Sequence, residues 1–174
     1  MRPTELKQLI LADQFQVFLF AAPLPIPVNF AVHAWFVINL QGNLERWEFG
    51  KFRNSGNPKG VGILKDFIHP TGGLQKYLWK GKKGSTSELL ATISGSQGSL
   101  AHEMALFIQH ETPHYPLQSI YRYLGPNSNT YAQWVIDNFP ESGFALPLRA
   151  IGRNYKGKHL RKLKLIHDKG QSTQ

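Results

Sequence analysis

The chain has 174 residues, of which 20 are lysine or arginine and 11 are aspartate or glutamate, giving a net charge of +9. Its 41% apolar and 18% charged residues are typical of a globular protein and exclude a disordered one. The absence of cysteine excludes disulfides, cysteine-ligated zinc and a thiol nucleophile, and it fits a reducing compartment.

The first half of the chain predicts β-strands. Alternating or β-branched segments place these strands at 14–20, 30–39, 44–52, 61–68 and 88–93. Pro23, Pro25 and Pro27 make the connection after the first strand extended, and residues 53–60 form a loop. The apolar run 28–40 is too short to span a bilayer, so we expect a soluble, cytoplasmic protein without a transmembrane segment.

The second half of the chain predicts two helices. In 99–112 and again in 130–139 the apolar side chains recur at helical spacing, and a proline ends each segment. We expect both apolar stripes to face a core. The predicted fold is therefore a single α+β domain over residues 1–155, in which helices pack on an antiparallel sheet. Residues 156–174 are predicted to form a basic C-terminal tail.

Positive charge is concentrated in two segments, 76–83 and 149–169. The first holds four lysines, and the second holds eight lysines or arginines against the single carboxylate of Asp168. Such patches attract nucleic acid or anionic membrane surfaces without reading a sequence. They are equally typical of a solvated segment that keeps a protein in solution. Both interpretations stay open from the sequence.

The most informative segment is the polar turn Gly-Pro-Asn-Ser-Asn-Thr-Tyr at 125–131. Its Asn, Ser and Thr side chains stand where the second helix is expected to begin, and such side chains cap helices. A helix start also presents free backbone N–H groups to a ligand. Thr130 and Gln133 have the spacing of a capping box, which would leave Ser128 in the preceding turn.

Three segments together resemble a bacterial domain of unknown function, family 3750. They are Phe-Ala-Val-His-Ala-Trp at 30–35, the run from Tyr121 through the turn to Tyr131, and 146–155 with Ala-Ile-Gly-Arg-Asn-Tyr at its end. The resemblance covers roughly residues 14–155. Because the family has no established activity, the resemblance implies kinship rather than a chemistry.

The order of polar residues along the chain is similar, more loosely, to that of permuted papain-like hydrolases of the NlpC type. His33 lies on a predicted strand, Glu48 lies on the next strand, and Asn127 precedes Ser128 at a helix start. In those enzymes a cysteine follows the asparagine. If residues 41–42 form a two-residue turn, Glu48 becomes a diagonal neighbour of His33 on one face of the hairpin. A slip of one residue would move Glu48 to the other face.

This order suggests a hydrolase or acyl-transfer enzyme acting on an amide or ester. His33 would be the general base, Glu48 would orient it, and Ser128 would attack, with Asn127 or backbone N–H groups stabilising the oxyanion. A serine is less readily ionised than a cysteine at such a position. We therefore rank slightly higher a non-catalytic descendant that binds a peptide, a glycan-peptide or an acyl ligand in the same cleft.

Other side chains complete the predicted site. The candidate ligand contacts are Trp35, Arg122, Asn127, Asn129 and Tyr131. Several residues of the predicted site also have a purely structural interpretation. Ser128 would cap the helix, the two asparagines would form the turn, and His33 would make its hydrogen bonds within the sheet. The sequence implies neither a metal nor a cofactor: His110 and His114 are four residues apart, but Pro113 breaks the helix that would align them.

Overall fold

A computed structural model describes residues 1–51, 60–71 and 86–155. The strands in these ranges are β1 (Phe15–Pro23), β2 (Val32–Leu40), β3 (Asn43–Lys51), β4 (Val61–Lys65) and β5 (Glu88–Gly95). The helices are α1 (Pro3–Leu9), α2 (Leu100–Glu111) and α3 (Ser128–Asp137), with short 3-10 turns at Thr112–His114 and Pro140–Ser142.

The strands form one antiparallel sheet in the order β4-β3-β2-β1-β5. β1 and β2 pair along their whole length, whereas the ladder between β2 and β3 runs from Leu40↔Asn43 to Phe36↔Trp47 and ends there. Past Trp47, β3 keeps its pairing with β4. The sheet is therefore open between β2 and β3 beside the first residues of β2, where His33 lies.

The two faces of the sheet are covered differently. α2 packs on β1 and β5, and α3 packs on β2 and β3, so that both helices cover the same face. The core on this face includes Val17, Leu19, Phe36, Trp47, Met104, Ile108, Tyr131 and Val135. On the other face, Leu6 of α1 packs with Phe18, Phe20, Trp35 and Val37. Because side chains alternate along a strand, His33 points to the face of Trp35, opposite the helices.

The structure confirms the α+β class and an antiparallel sheet covered by helices. It also confirms the two-residue turn at 41–42, since Leu40 pairs with Asn43. Some details differ from the prediction. β1 continues to Pro23, which was predicted to lie in the connection after the strand. β4 ends at Lys65 rather than at residue 68, and α1 has no counterpart in the sequence prediction. None of the described helices is long and apolar enough to cross a bilayer.

Several predictions fall on residues that the structure does not describe. They concern most of the loop at 53–60, the lysine segment at 76–83, and the basic tail at 156–174, all of which lie outside the described ranges.

Candidate functional site

The three segments that carry the family resemblance meet at one small cavity of about 50 Å³. His33 contributes to its wall from β2, Ser128 from the first residue of α3, and Ile151 from the chain after α3. The cavity lies at the open end of the sheet. For that reason groups from both faces of the sheet reach it, although His33 and α3 belong to opposite faces. It has room for a few water molecules, because one water needs roughly 10–15 Å³ on this measure.

A buried contact with a carboxylate holds His33 in place. Its Nε2 atom lies 2.7 Å from Oε2 of Glu48, and both side chains are almost completely buried. The confirmed hairpin register puts these residues on one face, as predicted. The fully buried guanidinium of Arg46 donates to both oxygens of Glu48, at 2.9 Å and 3.2 Å, and lies 4.3 Å from the ring centre of Trp35. Glu48 therefore connects His33 to Arg46.

Glu48 is a carboxylate throughout the physiological range. Burial by itself would raise its pKa, but the hydrogen bond and charge of His33 and those of Arg46 outweigh burial and lower the pKa from 4.5 to about 2. Charge-assisted hydrogen bonds of this kind are among the stronger ones in proteins. The permanent charge on Glu48 fixes the orientation of the His33 ring through its contact with Nε2.

The lowered pKa predicts a loss of stability in acid. Glu48 stabilises the fold fully above its unfolded pKa of 4.5, and this contribution disappears as the pH falls through about 2. The difference corresponds to about 3 kcal/mol. We expect the free energy of unfolding, measured by urea denaturation, to fall by about this amount between pH 5 and pH 2. In Glu48→Gln this part of the pH dependence should be absent.

The matched control for that measurement is Glu88→Gln, which removes an exposed carboxylate whose partner is Arg149. This variant should keep the acid transition of the unchanged protein. An unfolding free energy that varies with pH in the same way in Glu48→Gln and in the unchanged protein would contradict the assignment.

Ser128 lies in the cavity wall beside Tyr121. Burial raises the pKa of Tyr121, and hydrogen bonds with the side chain and the backbone of Ser128 offset part of this rise. The ring of Tyr121 packs 5.3 Å from that of Phe49 and is itself part of the cavity lining. Ser128 is only 2% exposed. The hydroxyl of Ser128 is thus buried beside Tyr121 in the cavity wall.

The start of α3 is capped by Asn127, not by Thr130 as the sequence suggested. The Asn127 side-chain oxygen accepts from the backbone N–H groups of Asn129 and Thr130, and the Thr130 hydroxyl accepts from the backbone N–H of Asn127. Ser128 is consequently the first residue of the helix. The Thr130 hydroxyl donates to the carbonyl of Gly152, a contact that a pattern of neighbouring residues cannot reveal.

Among the described residues, most N–H groups in the first turn of α3 have acceptors. Asn127 accepts from those of Asn129 and Thr130, that of Tyr131 begins the helical pattern, and that of Ser128 lies beside Tyr121. An oxyanion hole needs donors that point at the developing charge. These contacts weigh against the expectation that the helix start offers several backbone donors to a ligand.

The two asparagine amides are also engaged. Asn127 donates to the carbonyls of Tyr123 and Ile151, and Asn129 donates to those of Val32 and Ile151, at 2.8–3.0 Å. An amide has two donor hydrogens, so neither group has one left for an oxyanion. These contacts weigh against the predicted oxyanion role of Asn127. The side-chain oxygen of Asn129, in contrast, is buried without a hydrogen-bond partner among the described residues.

The remaining predicted ligand contacts lie elsewhere. Trp35 is buried under Arg46, and Tyr131 is buried in the core with its hydroxyl 3.1 Å from that of Thr112. Neither lines the cavity. Arg122 is exposed on the loop before α3, and its backbone N–H donates to the carbonyl of Pro126.

Sequence reasoning missed two side chains of the site, Arg46 and Tyr121. Arg46 stands two residues before Glu48, so the same alternation that placed Glu48 beside His33 also indicates Arg46 on that face. Tyr121 offered no comparable signal, since its loop has no periodicity. Among the described residues, no three His, Asp or Glu side chains gather as a metal site would need.

Comparison with known proteins gives one result. The family model described as a protein of unknown function, DUF3750, matches residues 14–155. Comparison with curated proteins and with solved structures gave no match.

Proposed function

We propose that this chain, which belongs to the DUF3750 family, is a binding domain that holds a hydrogen-donating group of its ligand in the cavity beside His33, Ser128 and Asn129, without covalent catalysis. The observation that supports this is the state of the hydrogen-bonding groups around the cavity. The N–H groups of Asn129 and Thr130 at the start of α3 are engaged, while the Asn129 side-chain oxygen, an acceptor, is buried without a partner in the part of the chain that the structure describes. A buried unpaired acceptor costs stability until a donor reaches it.

The size of the cavity and its hydrogen-bonding groups restrict the chemical class of the ligand. At about 50 Å³ the cavity is far smaller than the roughly 300–1,000 Å³ of sites that enclose a drug-sized molecule. It therefore takes one small group, while the rest of the ligand lies outside. A peptide N–H or a sugar hydroxyl donates a hydrogen bond, whereas an acyl chain does not. Of the ligands predicted from the sequence, a peptide or a glycan-peptide fits Asn129 better than an acyl group.

A short ligand tests the proposal directly. We expect alanyl-alanine or N-acetylglucosamine to shift the NMR signals of the Asn129 side-chain amide and the Ser128 backbone amide. Ala31 lines the cavity, so Ala31→Val should abolish these shifts by filling it. Ala91→Val adds the same methyl groups on β5, away from the cavity, and should leave them unchanged. Shifts that persist in Ala31→Val would contradict binding in the cavity.

The alternative function is a hydrolase or acyl-transfer enzyme with Ser128 as nucleophile, His33 as base and Glu48 as the orienting group. The 2.7 Å contact between His33 and Glu48, and the presence of His33 and Ser128 in one cavity wall, favour it. The order along the chain is that of permuted papain-like hydrolases, with Ser128 in place of cysteine. The engaged donors at the helix start weigh against it.

A fluorophosphonate probe separates the two functions, because it labels serines that a base activates. We expect no labelling of Ser128, since its hydroxyl is buried beside Tyr121 and the amide groups of Asn127 and Asn129 already donate to backbone carbonyls. Labelling detected by mass spectrometry at Ser128 and lost in His33→Ala would establish the enzyme instead. Labelling that is equal in His33→Ala would show surface reactivity unrelated to a triad.

Binding to nucleic acid or an anionic membrane through 149–169 is a further proposal from the sequence. The described part of that segment has internal partners: Arg149 pairs with Glu88, and Arg153 donates to the carbonyls of Pro147 and Leu148. The proposal therefore rests on the basic residues after 155. The cytoplasmic location predicted from the sequence stays a prediction.

A further inference from the structure

Exposed apolar side chains are concentrated around the mouth of the cavity. Three loops surround it, and we call them the rim loops: residues 24–31, 120–126 and 146–152. Six of the nine large apolar side chains that are exposed in the described chain lie on these loops. They are Ile26, Phe30, Ile120, Tyr123, Leu124 and Leu148, with exposures from 43% to 87%. Such a concentration on one side of a domain marks a surface that contacts another phase or another molecule.

The rim loops are joined to one another at the same end of the sheet. The backbone N–H of Val32, which follows the first loop, donates to the carbonyl of Arg149 in the third, at 3.2 Å. Asn127 donates to Tyr123 in the second loop and to Ile151 in the third. The exposed side chains therefore belong to one surface, whose loops are held together by hydrogen bonds.

The charge of this surface indicates what it contacts. The rim loops contain Arg122 and Arg149 and no carboxylate, and Arg153 follows directly. Arg149 is paired with Glu88, while Arg122 is exposed. The sequence from 156 to 169 adds six lysines or arginines and one aspartate. Phe, Leu and Tyr side chains combined with arginines are typical of surfaces that enter the headgroup region of a membrane.

We propose that the rim loops dock on an anionic lipid bilayer, with the apolar side chains entering the interface and the exposed Arg122 contacting acidic headgroups. A protein partner is the other occupant that an apolar surface permits. The bilayer is favoured because the charged residues of these loops are all arginines, which match the negative charge of an acidic lipid surface. This inference does not depend on the ligand of the cavity, whose mouth the bilayer would face.

Vesicle sedimentation of the full chain tests the proposal. We expect binding to phosphatidylcholine vesicles that contain phosphatidylglycerol, weaker binding at high salt, and little binding to phosphatidylcholine alone. Replacing Phe30, Leu124 and Leu148 together by glutamate should lower the partition coefficient at least about tenfold. These positions are exposed loop residues, so the melting temperature should be almost unchanged.

Phe67→Glu is the matched control. Phe67 is 63% exposed and Phe30 is 58% exposed, but Phe67 follows β4 at the opposite end of the sheet. Its replacement should leave vesicle binding unchanged. Equal binding by this control and by the triple variant would overturn the proposal, and so would a complete lack of binding to both kinds of vesicle, which would point to a protein partner.

A second comparison separates the rim loops from the basic tail. Replacing the six lysines and arginines of 156–169 by glutamine should weaken binding but leave a measurable fraction that still depends on Phe30. If these replacements abolish binding while the triple rim variant binds normally, the tail is the membrane contact and the proposal fails.

Discussion

Replacing Arg46 by methionine should lower the free energy of unfolding by about 3–5 kcal/mol at neutral pH, as measured by urea denaturation. Arg46 is fully buried and makes two hydrogen bonds to Glu48. Without it, Glu48 keeps its charge in a buried environment with His33 as its remaining partner. Removing one member of a buried pair is costly because the other charge stays desolvated.

Two further variants make this result specific. Lys65→Met removes the partner of Glu45, a contact of 2.6 Å in which the lysine is 46% exposed. Glu45 is buried but keeps hydrogen bonds from the side chains of Trp47 and Gln109, so this change should cost less, about 1–2 kcal/mol. The double variant Arg46→Met with Glu48→Leu should recover much of the stability, because no buried charge remains. If Arg46→Met costs no more than Lys65→Met, the buried network is not what stabilises this part of the sheet.

The hairpin shows what the sequence can determine at the site. Side chains alternate along a strand, and a two-residue turn fixes the register, so the contact between His33 and Glu48 followed from the positions of 41–42 alone. The same rule includes Arg46, which lies one step along the same face. Local geometry thus determines the contact between His33 and Glu48 and the position of Arg46 beside them, because all three residues lie within one hairpin.

The other half of the site depends on contacts between distant segments. The motif at 125–131 predicted a helix start, but it contains more than one side chain able to cap. Thr130 has the local pattern of a cap, yet its hydroxyl bonds to Gly152, and Asn127 caps instead. α1 is similar: its seven residues are too few to form a stable helix alone, and the burial of Leu6 against the sheet stabilises it. Neighbouring residues do not contain that information.

The dependence of the site on distant contacts leads to the second large effect, which we expect for Gly152→Ala. Gly152 has a φ of +93°, and a Cβ atom there would lie 2.5 Å from the side-chain nitrogen of Asn127 and 2.7 Å from its oxygen. The substitution therefore combines backbone strain of about 1–2 kcal/mol with displacement of the helix cap, which costs about 1–2 kcal/mol more. We expect the free energy of unfolding to fall by about 2–4 kcal/mol in urea denaturation.

Gly143→Ala measures the cost of the backbone strain alone. Gly143 also has a positive φ, +66°, but a Cβ atom there would meet nothing within 4 Å. This variant should cost about 1 kcal/mol. Hydrogen exchange gives a second readout, since the amides of Asn129 and Thr130 should lose protection in Gly152→Ala and keep it in Gly143→Ala. Equal costs and equal protection would show that Gly152 does not brace the cap. A larger cost confined to Gly152 would show that the segment after α3 holds Ser128 and Asn129 in the cavity wall.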